Sequence, residues 1–356
     1  MSDVNKDMSF AARIQSARRM AGLSLQEVAD RMQNPISKQA INQFEQGKNK
    51  PETETLYDLA KALNVKIDFF FKQAPLSLGK IEYRKKVKLT KTEEIAIQET
   101  AKHRLEQYFE LEEITNNVSQ FQNPLDSDFI VRDLSDIEEA AEMVRSKWSL
   151  GIKPISNVIE MLEEKGIKVV EIDSSDSFQG FRAEVNQHHL VVLNVNDDVL
   201  RKRFTAVHEL GHIILKFEEG VDVEKYCHCF SGAFLFPKTS VIAVFSDKRK
   251  KVSFAELVQQ KCYYGISIQA ILMRLTNLDI ITESTKRGLL IWMNKSGYGI
   301  KSPGTYAGVE KAIRFSQLLY RAAIEDVISM SKAASLSNQS LSDFRKIIQG
   351  KNIDKL

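Results

Sequence analysis

Cysteine is scarce in this 356-residue chain: only Cys227, Cys229 and Cys262 occur. Three thiols offer no disulfide framework, so a reducing, cytoplasmic setting is expected. No apolar run approaches the roughly 20 residues that cross a bilayer. The N-terminal MSDVNKDMSF lacks the apolar stretch of a secretory signal. No membrane partner is therefore expected. Internal repeats and low-complexity tracts are also missing, which excludes repeat arrays and disordered spacers as the main architecture. The formal net charge is only +3, but it is unevenly spread. Residues 1–90 hold 16 Lys and Arg against 10 Asp and Glu, whereas the remainder holds 34 against 37. A basic N-terminal unit on a near-neutral body points to a polyanion at one end.

Helical periodicity dominates residues 10–71. Ile14, Leu25, Val28, Ala29, Ile41, Phe44, Leu56, Leu59, Ala60 and Leu63 recur at helical spacing over five short amphipathic helices. These residues are expected to share a core. Ser24 and Ser37 stand as N-caps of the second and third helices, and Gly47 with Pro51 ends the third. With ISKQAINQFEQGKNKP as its most specific piece, the stretch resembles the Cro/repressor-type (XRE) helix-turn-helix. A helix capped by Ser37 presents Lys38, Gln39 and Asn42 outward while Ile41 and Phe44 pack inward. Gln and Asn can bond adenine edges bidentately, and Lys reaches guanine or phosphate. Arg18, Arg19, Lys48 and Lys50 are expected on phosphates. Double-stranded DNA is thus the expected partner. One such domain reads half a site, so a homodimer or a second protein is expected to complete it. The plainer alternative is a small docking or dimerisation module.

Further on, RFTAVHELGHIIL begins at Arg203. His208 and His212 are four apart, which puts them on one helix face. They can share one Zn²⁺ at about 2.0–2.1 Å, with Glu209 beside the open position. Such a carboxylate can take a proton from a water whose pKa the metal lowers towards about 7. Ala206, Val207, Leu210, Ile213, Ile214 and Leu215 make the surroundings apolar, where ionisable groups are costly without an ion. Two helix histidines satisfied by hydrogen bonds are the bland alternative. A third ligand is sought in VDVEKYCHCFSGAFLFP, a second helix stopped by Pro237. Glu224 and His228 are again four apart, and spacing does not choose between them. Cys227 and Cys229 lack zinc-clip spacing and are expected as core residues. Upstream, HLVVLNV (189–195) alternates like a strand, with His188 and His189 as ordinary strand-end residues.

From about 138 to 282 the chain resembles the ImmA/IrrE family of zinc metallopeptidases. The matching pieces run in order: EEAAEMVRSKWSLGIKPISNVIEMLEEKGIKVVEI, QGFRAEVNQHHLVVLNV, RKRFTAVHELGHIIL, EKYCHCFSGAFLFP and AILMRLTNLDIIT. The resemblance implies a zincin-like domain with one Zn²⁺ per chain, held by His208, His212 and, position for position, Glu224, with Glu209 as catalytic base. Cys227 and His228 depart from the family's commoner Ala-Asn pair, and Leu235 with Phe236 from its Leu-Met. The resemblance also implies that the 189–195 strand offers a free edge to an extended peptide. No residue is assigned to the oxyanion.

The expected architecture is multidomain. An all-α helix-turn-helix domain spans 8–73, a helical linker 74–134, an α+β zincin-like metallopeptidase domain 135–285 and a mainly helical C-terminal region 286–356. Within the last, 286–308 is polar and glycine-containing. Ile313, Leu318, Ala322 and Ile328 read as one amphipathic helix, and ISMSKAASLSNQSLSDF resembles a second small helix-turn-helix-like unit. By resemblance, the protein is expected to be a zinc-dependent endopeptidase that cuts a transcriptional repressor or similar regulator, so controlling stress-response or mobile-element genes. The alternative is a DNA-binding regulator or antitoxin-like protein whose metallopeptidase fold senses without cutting. The intact Glu209 weighs against it, since retaining a metal does not require that residue.

Overall fold

The computed structural model describes residues 3–79, 81–85, 89–299 and 302–351, with the backbone alone at 3–7 and 82–85. The last five residues of the expected C-terminal region lie outside them. The chain opens with α1 (Asp3–Met20), α2 (Leu25–Arg31), α3 (Lys38–Glu45) and α4 (Thr53–Ala62). A 3-10 turn at Ile67–Phe71 takes the place of a fifth α-helix. Ser24 and Glu27 cap each other across the first turn of α2, and Ser37 Oγ accepts the Ala40 N–H at 3.2 Å. Ile14, Val28, Ile41, Leu59 and Phe70 are fully buried together. Side chains of this size each contribute about 1.5–3 kcal/mol on burial, enough for this unit to keep its own core.

The 74–134 segment, expected as a helical linker, is built into the body instead. Its strand β1 (Glu82–Lys85) joins the sheet, and its helix α5 (Lys91–Ile114) covers one sheet face. Ile97, Ala101 and Leu105 of α5 pack on Phe178, Phe181 and Leu190. Glu99 and Glu106 accept hydrogen bonds from Ser16 (2.6 Å) and Arg13 (2.7 Å) of α1, and Leu111 packs on the C-terminal helices. A spacer helix carries one solvated face; α5 has apolar or bonded residues on several, so it is buried as a spine.

The body continues with α6 (Leu134–Lys147), α7 (Val158–Glu164), β2 (Lys168–Ile172), β3 (Phe178–Val185) and β4 (His188–Asn194). Then follow α8 (Val199–Ile214), α9 (Val223–Leu235), α10 (Lys238–Phe245), α11 (Phe254–Tyr264), α12 (Ile268–Asn277) and α13 (Glu283–Lys295). The sheet order is β1-β3-β4-β2, with β2 parallel to β4 and the other pairs antiparallel. Alternation sorts β4 cleanly: Val191 and Leu193 face the helices around α8, while Leu190 and Val192 face α5. The free edge expected of this strand is absent, because β3 and β2 flank it on both sides. The β3–β4 hairpin turns at Asn186 and Gln187, whose φ of 48° and 66° is the left-handed pair that a two-residue turn needs.

The first part of the 286–308 stretch belongs to α13. Thr282 caps α13, and Met293 on it is buried against the body. Residues 302–313 then cross the body without regular structure. The tail is α14 (Arg314–Ile324), α15 (Met330–Leu336) and α16 (Leu341–Ile348), clustered on Leu111. Ile328 is buried there but lies beyond the end of α14. No single described helix is long and apolar enough to cross a membrane.

Candidate metal centre

Asp198 caps α8 by accepting the Leu200 N–H at 2.9 Å. The helix then runs through the core with Arg203, Thr205, His208 and Glu209 all buried. Arg203 pins it. Its guanidinium donates to Gly265 O (3.0 Å) and Ile155 O (2.8 Å), lies over the Tyr306 ring at 4.8 Å and pairs with Glu310. Glu310 in turn accepts the Val158 and Ile159 N–H groups at the start of α7, and burial pushes its carboxyl up despite the guanidinium.

The second helix of the site, α9, lies close against α8 at Gly211. A Cβ there would meet Phe230 Cδ1 at 3.3 Å and Cys227 Sγ at 3.4 Å, tighter than ordinary packing. The far end of α9 is held by two cations. Arg145 donates to Phe234 O at 2.6 Å and Arg274 to Phe236 O at 3.0 Å, where a helix C-terminus favours positive charge. Arg274 is itself gripped by both oxygens of Glu138.

This packing brings three side chains together, with their donor atoms close to one another. His208 Nε2 and His212 Nε2 are 3.1 Å apart; Glu224 Oε2 is 3.3 Å from the first and Glu224 Oε1 is 3.1 Å from the second. Tetrahedral ligands about 2.0–2.1 Å from a zinc ion are about 3.3–3.4 Å from each other. The histidine pair and each histidine–carboxylate contact are close to that spacing, and two imidazoles with one carboxylate suit a divalent cation. A fourth, open position is what three protein ligands leave. Glu209 lies one residue past His208, buried with only 2% of its surface exposed.

His228 stays outside that cluster. Its Nδ1 is 2.7 Å from Glu224 O, and a carbonyl only accepts, so the ring N–H donates there. The ring packs against His208 with centroids 4.4 Å apart. Cys227 is fully buried, and burial pushes its thiol well above its ordinary range. Cys229 accepts from Asn277 Nδ2 at 3.3 Å. His188 and His189 sit against Phe109 and Phe121, and burial lowers both imidazole pKa values.

At the other end, Ser37, Lys38, Gln39, Lys48 and Lys50 are exposed on and after α3, and Asn42 is half-buried, accepting from Gln46 Nε2 at 3.3 Å. Arg18 does not join that surface as expected. It forks onto Glu45 at 2.6 and 2.8 Å and donates to Leu23 O, tying α1 to α3. A buried carboxylate within reach captures the guanidinium before a phosphate can. Arg19 is half-buried beside it.

The residues missed in the sequence are those that hold the site: Arg203, Glu310, Arg145 and Arg274. A charged residue in the apolar run of α8 was the one local signal, for Arg203.

Residues 14–70 match the family model described as helix-turn-helix, and residues 162–276 match that described as IrrE N-terminal-like domain. A search of curated proteins finds no match.

Proposed function

We propose that this chain, which joins an XRE-type helix-turn-helix domain to an ImmA/IrrE-like peptidase domain, is a zinc-dependent endopeptidase directed at a DNA-associated regulator. The observation that carries the reading is the convergence of His208, His212 and Glu224 with a buried Glu209 on the same helix. In this reading the three residues hold one Zn²⁺, which when bound supplies Lewis acidity to a carbonyl and acidifies a water. Glu209 accepts the proton of the attacking water and passes it to the leaving amine. Burial of Glu209 suits a base that works away from bulk solvent. The DNA-binding unit, through Ser37, Lys38, Gln39, Asn42, Lys48 and Lys50, would hold the peptidase near a repressor on its operator, with a second copy completing the DNA site.

The test pairs metal content with cleavage. Wild type and Glu209→Gln are purified, their zinc is quantified, and each is incubated with a panel of candidate repressor proteins. Equal zinc with cleavage by the wild type alone supports the peptidase. Equal zinc with no cleavage by either, across candidate partners, favours a DNA-binding regulator that uses the domain as a sensor.

A further inference from the structure

A cleft of about 940 Å³ lies where residues 308–313 and α14 meet α5, β2 and the start of α8. Its size falls within the roughly 300–1,000 Å³ typical of small-molecule sites. A smaller hollow of about 190 Å³ adjoins it, with Arg104, Glu171 and Ala312 in both linings. None of His208, Glu209, His212 or Glu224 lines either one.

Most charges around the cleft already have partners. Glu171 accepts from Lys202 Nζ at 2.6 Å through one oxygen and from the Ala312 N–H at 2.9 Å through the other. Glu310 is filled by Arg203 and the start of α7, and Asp197 pairs with Arg201 at 3.3 Å. Lys311, the lining's remaining cation besides Arg104, is exposed and also engaged.

Arg104 differs. It is half-buried on α5 and has no hydrogen-bond or ion-pair partner among the described residues. Burial lowers its pKa, and no neighbouring carboxylate opposes the shift. Arg145, Arg203 and Arg274, by contrast, all donate to backbone carbonyls. A guanidinium drawn partly out of water without an acceptor is costly, and an anion in the cleft would supply one. Gln317 and Tyr320, three apart on α14, also line the cleft, and neither side chain has a hydrogen-bond partner among the described residues. Burial pushes the Tyr320 phenol up, which keeps it a donor. Val199 and Val309 supply apolar wall, and Val309 is 60% exposed.

We propose that this cleft binds a small organic carboxylate with an apolar body, its head group on Arg104 and its body against Val199 and Val309. The planar guanidinium fork matches a carboxylate bidentately. One uncommitted guanidinium set among three carboxylates suits a single negative charge better than the two of a phosphate monoester. The site stands whether or not the chain cuts peptides.

The test uses the full chain and reads binding by saturation-transfer NMR titration. The probes are phenylacetate, 3-phenylpropionate and 4-phenylbutyrate, each with the alcohol and the phosphate monoester of the same body. At least one acid is expected to bind, with its alcohol weaker by roughly tenfold or more, the worth of a charge-assisted hydrogen bond. Arg104→Met should lose the same factor without lowering the melting temperature, because it keeps an apolar stem and removes an unpaired charge. Val309→Trp, at an exposed position, should block the acid and leave the melting temperature unchanged. Three results each overturn the proposal: no acid binds, acid and alcohol bind alike, or binding survives both substitutions. A tighter phosphate ester would overturn the assignment to carboxylates. A lower melting temperature in Arg104→Met would make Arg104 a structural residue and overturn its role as the anchor.

Discussion

The Arg203 guanidinium and the Glu310 carboxylate form an ion pair from which solvent is wholly excluded, across 107 residues of chain. Arg203 sits on the helix that carries His208 and His212, and Glu310 sits on the segment that crosses the body after α13. The C-terminal region is thereby part of the candidate metal centre's support, because α8 loses its anchor when that segment leaves.

Removing one partner leaves the other charged and buried. Arg203→Met or Glu310→Leu should each cost about 3–5 kcal/mol, measured by urea unfolding. The double variant should recover part of that loss, since an apolar pair leaves no stranded charge. Single and double variants of equal stability would disprove the coupling.

Metal retention separates Glu224 from His228. Glu224→Ala should weaken zinc binding by more than the roughly 10–100-fold that loss of an outer-shell partner costs. His228→Ala should keep zinc near one per chain. Competition with a chromophoric chelator checks both. A reversed order would make His228 the third ligand.

The DNA surface predicts three different phenotypes. Gln39→Ala should lose about 1–3 kcal/mol of discrimination at one base pair. Lys48→Ala should weaken binding uniformly and reduce the salt slope by about one. Arg18→Ala should lower the melting temperature through loss of the Glu45 fork and leave the salt slope alone. Footprinting and binding isotherms over a salt series distinguish them.

Glu163 supplies a pH dependence. It is buried near Arg314 and Glu171, accepts the Ile313 and Arg314 N–H groups, and burial pushes its carboxyl up from 4.5 to about 7. A raised folded pKa favours the native state when the group is protonated. Its contribution is whole below about pH 4.5 and is lost as pH rises through about 7. Glu163→Gln, which mimics the neutral form, should therefore gain on the wild type between about pH 5 and 8, by on the order of 1–3 kcal/mol. Parallel stability curves for the two proteins would remove Glu163 as the source.

Much of the architecture was legible where the signals are local. The caps at Ser24 and Ser37 and the apolar periodicity around Ile41 concern neighbours within one or two turns, and tertiary packing left them in place. Arg18 was misread because its partner, Glu45, lies two helices away. α5 was misread as a spacer because each of its faces answers to a different unit: Glu99 to α1, Leu105 to the sheet and Leu111 to the tail. The position of β4 inside the sheet depends on its returning between β3 and β2, and no residue within 189–195 carries that information.

The sequence by itself determined that His208 and His212 share a helix face with Glu209 between them, because 3.6 residues per turn brings positions four apart together wherever the helix lies. It also determined that Glu224 and His228 share a face of the next helix, by the same rule. Only the tertiary structure decided which of the two meets the histidines. The close approach of α9 at Gly211, the clamps of Arg145 and Arg274 on its far end and the Arg203–Glu310 anchor under α8 together set how the two helices lie. In that arrangement Glu224 reaches the imidazole nitrogens, while His228, one turn further along, bonds back to its own helix.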